Sequence, residues 1–299
     1  MTQVLRQKAG MALERKITHV ILHLILITAG ITFLVPFFWV ASTSLKVPGE
    51  VFSYPIRWIP PYPEWGNYTT VFSLVKIVSA QGKDISAVPT WMRNTLELIV
   101  MGTLGSLISC SLVAYGLTRI RWRGREFVFA LVLGTMMLPG VVTLVPTFIM
   151  FRDFGWIDTY LPLIVPSWLA ANSFYIFLLR QFFLGLPMEL DEAAIVDGAS
   201  GFRILWQLIL PLSKPALAAV GVFSFMAQYS EFMGPLLYIN NPAKYPISVG
   251  LRFVQGSYGN QWPYVMALVM MSLVPVIMLF FFAQKTFIQG VQMTGIAGR

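Results

Sequence analysis

The chain is short of charge, cysteine and histidine, and each shortage closes off a class of function. Only 11% of its 299 residues are Asp, Glu, Lys or Arg, where a typical soluble domain carries about 25%. With 57% hydrophobic residues and a mean hydropathy of +0.70, it reads as an integral membrane protein. The long apolar runs make the spans helical, because backbone groups in lipid must be satisfied within the segment. The single cysteine, Cys110, cannot form an internal disulfide and leaves the redox compartment unread. The two histidines, His19 and His23, share a helix face at a spacing that can hold a metal. No carboxylate or cysteine stands near them, so they read as interfacial residues opening the first span, and no metal site is expected. No Gly-x4-Gly-Lys-Ser/Thr phosphate loop occurs in the chain. The net charge of +8 does not mark a nucleic-acid binder, because the basic residues fall in short loops and tails, as membrane orientation requires.

What is present is a set of six apolar stretches, each near the roughly 20 residues a span needs, at 17–44, 92–118, 126–151, 159–184, 212–239 and 261–285. The first is expected to be a retained span. Its run from Ile17 to Val40 is too long for a signal-peptide core, and no small-x-small cleavage site follows promptly. Prolines at 36, 139, 146, 162, 166, 235 and 275 suggest bent helices around a pathway, since neighbouring helices and hydroxyls can satisfy the carbonyls that proline frees. With the N-terminus inside, thirteen Lys and Arg residues fall inside and eight outside. Arg119, Arg121, Arg123 and Arg125 decide this, because they crowd a very short loop. The expected organisation is an all-α membrane protein with both termini cytoplasmic. It has a tail at 1–16, a first span at 17–44, an external loop at 45–91, a core at 92–285 with five spans and a cytoplasmic loop at 187–211, and a tail at 286–299. The external loop is rich in Pro and aromatics, a mark of the membrane–water boundary, and is expected to hold a short interfacial helix near Asn67–Val78. It could also meet an external partner.

The loop at 187–211 is the one strongly polar insert between apolar segments. Pro187 suits the entry to a helix, and Glu189, Asp191 and Glu192 follow in the first turn, where the helix dipole favours anions. Gly198 can end that helix in a left-handed conformation, and Ser200 can cap a second one. Phe202, Leu205, Trp206 and Ile209 then fall at i, i+3, i+4 and i+7, an expected one-sided apolar stripe, before Pro211 stops the helix. Two short helices at an angle make a docking element for something in water. The bland alternative is an interfacial helix that only seals the bundle.

The residues carry a resemblance. Glu192-Ala193-Ala194, three residues, Gly198, nine residues, then Leu208-x-Leu210-Pro211 resembles the EAA motif of ABC importer permeases, with Leu208 where that family usually has Ile. The stretches Phe177–Phe183, Asp191–Ser200, Leu210–Leu217 and Phe287–Gly298 are similar to the carbohydrate branch, the maltose-system inner permeases among them. Tyr229-Ser230-Glu231-Phe232-Met233-Gly234-Pro235 resembles a Trp-Asn-Asp/Glu-Phe-x-x-Pro segment and departs from it at Tyr229 and Ser230. The resemblance implies a type I (MetI-like) permease bundle in a prokaryotic inner or plasma membrane, a non-catalytic half of a sugar-import pathway. The implied partners are a second permease, a dimeric cytoplasmic ATPase that carries the ATP and Mg, and an external solute-binding protein. This chain would bind no cofactor itself. The implied ATPase-coupling residues are Glu192, Ala193, Ala194, Asp197, Gly198, Phe202, Leu210 and Pro211. The missing phosphate loop fits, because the driving energy must then come from a partner.

Within the spans, Glu231 is the leading pathway candidate, since intramembrane charges are costly and default to function; bonding to neighbouring groups is its structural alternative. Gln228, Tyr229 and Tyr238 lie near it, a combination of hydrogen-bonding groups and aromatic faces that suits a sugar, and Asn172 is a similar candidate. Glu97 is expected near an interface. Gly102, Gly105, Ser106, Ser109 and Ser111 are small residues that let helices approach closely. In the external loop Ile239–Trp262, residues Asn241, Lys244, Gln255 and Tyr258 are candidates for contact with the binding protein, as the resemblance implies, against a plain connector. Three other readings stand beside the sugar permease. A permease of the same type could carry a non-sugar solute. A stand-alone secondary transporter would show internal repeats, and none is seen. An intramembrane enzyme would need a converging set such as His plus carboxylates or a Ser–Lys pair inside the spans, whereas both His sit at one edge and no acidic pair is embedded.

Overall fold

The computed structural model describes residues 2–78, 82–259 and 261–296, with side chains described from 15 onward except 283 and 285–296. The basic side chains of the N-terminal tail before Arg15 and those of the tail at 286–299 lie outside the described residues. The chain divides into two compact units, Met1–Val71 with Tyr258–Met271, and Phe72–Ser257 with Ser272–Arg299.

The first unit opens with helix α1, Thr2–Ser44. Its apolar stretch Arg15–Ser44 turns almost every side chain outward, which is how a span looks when lipid or another chain is its solvent. The following loop is tied to the helix end by polar bonds. Asn67 Nδ2 donates to the carbonyls of Ser44 at 2.8 Å and Lys46 at 2.9 Å, and Lys46 lies buried with Nζ 4.1 Å from the centroid of the Trp39 ring. Asn67 stands in α2, Gly66–Leu74. The interfacial helix expected to run on to Val78 stops there. Lys76–Val78 (β1) instead pairs antiparallel with Asp84–Ser86 (β2), with Ile77 opposite Ile85.

The second unit is built on α3, Ala87–Gly116. It is followed by α4 (Arg125–Met136), α5 (Gly140–Asp153), α6 (Leu161–Trp168) and α7 (Ser173–Leu184). Then come α8 (Glu189–Val196), α9 (Gly201–Ile204), a π-turn at Leu205–Ile209 and α10 (Leu210–Leu212). Last come α11 (Lys214–Ser230), α12 (Met233–Tyr238), α13 (Ile247–Tyr258) and α14 (Trp262–Ile296), of which the part up to Met271 belongs to the first unit. Helix α3 packs against α6, α7 and α11, and small residues allow it. A Cβ on Gly105 would sit 2.6 Å from the Trp168 ring, so the close approach there needs glycine. One on Gly102 would sit 2.3 Å from Gln228 Nε2, the end of a flexible side chain that can swing aside. The apolar core gathers Cys110, Ala114, Leu179, Phe183, Ile204, Leu205, Ile209 and Val220.

Among the described residues, four helices are long and apolar enough to cross a membrane, and six if each bent pair counts as one span. The stretch expected as one proline-bent span at 126–151 is α4 and α5, bent by 99°. Pro139 precedes α5; it lacks an N–H and pushes Leu138 out of the helical region. The stretch expected at 212–239 is also interrupted. α11 ends at Ser230, where Glu231 turns extended, and α12 starts two residues later.

Candidate functional site

The loop at 187–211 folds from local rules. Helix α8 begins after Pro187, with the N–H groups of Asp191 and Glu192 bonded to Met188 O at 3.0 and 3.1 Å. It ends at Gly198, whose φ of +78° lies in the left-handed region that glycine enters without cost. Gly198 N–H then donates to Ile195 O and Ala199 N–H to Ala194 O, both at 2.9 Å, the paired bonds that close a helix C-terminus. Ser200 Oγ accepts from Arg203 N–H at 3.4 Å and caps α9.

The second helix differs from the expected stripe. Leu205 and Ile209 are buried, while Phe202 and Trp206 are 67% and 60% exposed and stack on each other at 6.4 Å. The π-turn explains the split. Leu210 N–H bonds back to Leu205 O, five residues away, because Pro211 has no N–H for Gln207 O and its ring crowds that carbonyl. The wider turn rotates the later positions relative to the earlier ones. The outcome is an exposed apolar patch of Ile195, Val196, Phe202 and Trp206, beside exposed Glu192 and Asp197. A Cβ on Gly198 would meet no atom within 4 Å. Ala193 and Pro211 are exposed as well, while Ala194 and Leu210 are half-buried.

What holds this loop is a side chain that orientation counting treated as a loop charge. Arg119, just past α3, is buried and spans three segments. Its guanidinium donates to Asp191 Oδ2 at 3.1 Å, to Met188 Sδ at 2.8 Å, and to the carbonyls of Phe183 at 2.5 Å and Leu186 at 2.9 Å. Tyr115 OH adds a bond from α3 to Gly201 O at 2.9 Å. Arg180 on α7 donates to Leu117 O and to both oxygens of Glu126 at 3.2 and 3.0 Å, and lies 3.8 Å over the Phe129 ring.

A second feature is a cavity of about 670 Å³ between α3, α5, α6, α11 and α12. Gln228, Glu231 and Tyr238 line it, with Phe151, Phe154 and Trp156. Phe151 stacks on Trp156 and meets Tyr238 edge-on, each at 5.4 Å. Glu231 has a structural duty as well, since its Oε1 accepts from Gly234 N–H at 2.8 Å. The structure does not bring the other two candidates here. Tyr229 donates from its hydroxyl to Ser272 O, and Asn172 Oδ1 caps α7 by accepting from Tyr175 N–H at 3.3 Å. Glu97 is exposed on α3.

The loop after α12 is held by Asp158, which lies in the connection between α5 and α6. Its φ of +59° is left-handed, a region Asp tolerates better than most residues. Its carboxylate accepts from the N–H groups of Asn240 and Asn241 at 3.1 and 2.9 Å and from Lys244 Nζ at 2.7 Å. Burial alone would raise the Asp158 carboxyl, but the hydrogen bonds from Lys244, Asn241 and Asn240 outweigh it and hold the group below its ordinary value. Asn241 also accepts from Ala243 N–H at 2.9 Å. Gln255 accepts from Arg252 at 2.8 Å on the exposed side of α13, and Tyr258 closes that helix, half-buried. His23 Nδ1 sits 2.6 Å from the backbone oxygen of His19. Among the described residues no three His, Cys, Asp or Glu side chains gather at a metal-binding distance.

A profile of one protein family, the binding-protein-dependent transport system inner membrane components, matches residues 91–292. The chain belongs to that family. Among curated relatives of these transport components, an sn-glycerol-3-phosphate transport system permease protein of Brucella abortus is 31% identical, covering 93% of this chain and 97% of its own. An arabinooligosaccharides transport system permease protein of Halalkalibacterium halodurans is 32% identical over 70% of this chain and 74% of its own. Among solved structures, a chain of a bacterial ABC transporter involved in the import of the acidic polysaccharide alginate aligns with a TM-score of 0.76 at 25% identity, covering 90% of this chain and 96% of that one. For this transport component, sequence reasoning missed Arg119. Nothing local in the sequence marks Arg119, whereas Arg180 stands out as a cation inside the apolar run Phe177–Phe183.

Proposed function

We propose that the chain is one permease subunit of an ATP-driven importer that takes a sugar from an external binding protein, with six spans and both termini in the cytoplasm of a prokaryotic cell. The observation that carries this reading is the exposed apolar patch Ile195, Val196, Phe202 and Trp206, built on the EAA spacing and held by buried anchors. An apolar patch beside water with no partner in its own chain is a docking surface, and an ATPase that carries the nucleotide and Mg is the partner the family supplies. The chain itself is non-catalytic. It pairs with a second permease, and the cavity lined by Gln228, Glu231 and Tyr238 is its share of the pathway. Relatives named for arabinooligosaccharide transport support a sugar. The lining offers one carboxylate and no Lys, Arg or His, so this half alone has nothing to neutralise a phosphate ester. Asn241, Lys244, Gln255 and Tyr258 stand on the loop and helix that would face the binding protein.

The test is purification of the chain from gently solubilised native membranes, with mass spectrometry of what accompanies it. Recovery of an ATPase and a second multi-span permease is expected. Glu192→Lys and Gly198→Asp should each lower ATPase recovery by about tenfold or more while the permease pair still inserts, since weakening an interface by about 1.4 kcal/mol reduces its affinity tenfold. Glu192→Lys is the sharper probe, because Glu192 is exposed on α8, whereas a side chain at Gly198 must also take up the left-handed φ of +78°. Undiminished recovery with both variants, or solute uptake by this chain alone, would refute the reading.

A further inference from the structure

The buried Arg119–Asp191 pair has a cost that its bonds do not return in full. The two side chains are only 2% and 8% exposed, and Arg119 Nε and Asp191 Oδ1 find no hydrogen-bond partner among the described residues. Burying two charges and leaving an atom of each unsatisfied makes poor glue, since an apolar pair of similar volume commonly stabilises as well or better. Such a pair does fix position. Arg119 belongs to the end of α3, its carbonyl partners Phe183 and Leu186 belong to the end of α7 and the turn after it, and Asp191 lies in the first turn of α8. Tyr115 fixes the far side of the same loop through Gly201. Helix α8 is thereby bound to the end of α7 and to the turn after α3, the 30-residue helix that also lines the cavity, while its opposite face, with Val196 87% exposed, stays free.

We infer that Arg119 and Asp191 are the positioning residues that carry motion of the EAA helix into α3 and α7, so that the pair acts as the mechanical joint of the subunit. The inference rests on the docking of the EAA loop on an ATPase. A joint of this kind is separate from the docking surface, so breaking it should leave the ATPase bound and disconnect it from the spans.

The experiment uses the whole importer purified through this chain, with ATP and vanadate as the probe and hydrogen exchange as the readout. In the unchanged complex, vanadate trapping is expected to alter exchange both in Glu189–Val196 and in Ala87–Gly116. The variant R119M/D191L replaces the pair with apolar side chains of similar size and so avoids an orphaned charge. It should keep the ATPase-to-permease ratio and ATP hydrolysis, while the vanadate-induced change in Ala87–Gly116 falls about fivefold or more, a modest allosteric coupling. Arg119→Lys keeps the charge but makes fewer of the guanidinium's bonds, and should give an intermediate response. A purely structural role would lower yield and leave the response of assembled complexes unchanged. A full response in Ala87–Gly116 for both variants overturns this inference alone. Failure of the unchanged chain to recover any ATPase overturns the docking reading, and this inference with it.

Discussion

Two ion pairs in the second unit use the same chemistry in opposite settings. Arg119–Asp191, at the EAA loop, is 2% and 8% exposed, while Lys244–Asp158, at the loop after α12, is 40% and 32% exposed. Both tie a loop to an element distant in sequence, and both supplement the ion pair with backbone bonds. The difference in burial sets what each can do. In water the attraction is weak and adjustable. Away from water the pair is costly to form, more costly to break on one side, and therefore decisive about where the loop sits. The comparison separates a loop that must transmit force from a loop that must keep a shape.

Removing one partner of the buried pair should give the largest effect. Arg119→Ala strands Asp191 and two backbone carbonyls, and loss of one side of a buried pair costs about 3–5 kcal/mol. The thermal midpoint of the purified protein in detergent should drop sharply, or the protein should fail to accumulate. A midpoint within error of the unchanged chain would erase the distinction between the two ends.

How much of this was legible in the sequence depends on distance along the chain. The helix break at Gly198, the cap at Ser200 and the EAA spacing are local features. Each needs only neighbours within a turn or two, and the structure carries all three. The bends were half legible. Pro139 and Pro235 announce bends, but a proline does not fix the size of a bend and cannot say that α4 and α5 meet at 99°. The stripe on the second helix failed for a related reason, because a 3.6-residue period ignores the π-turn that Pro211 induces. Arg119 and Asp191 stand 72 residues apart. Composition counted Arg119 among charges that set orientation, since nothing short of the packed fold tells a loop arginine in water from one under three helices. The cavity is lined by Gln228, Glu231 and Tyr238 but not by Tyr229 or Asn172, and its further aromatic walls, Phe151, Phe154 and Trp156, come from α5 and the loop after it, which the sequence does not mark.

Arg180–Glu126 sharpens the comparison by sitting between the extremes, with one partner 9% and the other 64% exposed. Arg180→Lys keeps a charge near Glu126 but loses the bidentate fork and the flat stacking over Phe129. The expected cost is about 1–2 kcal/mol, the scale of one hydrogen bond to a charged group with a partly buried cation–π contact. The same thermal midpoint should fall by an amount between those for Arg119→Ala and for a change at Asp158. A cost equal to that of Arg119→Ala would mean that burial of one partner alone decides the energetics.

Asp158→Asn should give the smallest effect, and its pH dependence isolates the charge. Asn tolerates the left-handed backbone at this position and its oxygen can still accept from the N–H groups of Asn240 and Asn241, so the substitution removes the ion pair and little else. Exposed pairs are worth about 0.2–1 kcal/mol. The Asp158 carboxyl is held below its ordinary value of 3.8, so the folded state binds this proton less readily than the unfolded chain. Its contribution is therefore fully present above that ordinary value and is lost as pH falls through the lower folded value. The midpoint of the unchanged chain and that of Asp158→Asn should differ slightly at neutral pH and converge under acid conditions, and raised salt should narrow the neutral gap in the same way. At the Arg119–Asp191 joint, by contrast, salt should change nothing, because ions do not reach a pair that water does not reach. A neutral-pH gap at Asp158 that survives both acid and high salt would show that this loop, too, depends on a desolvated charge.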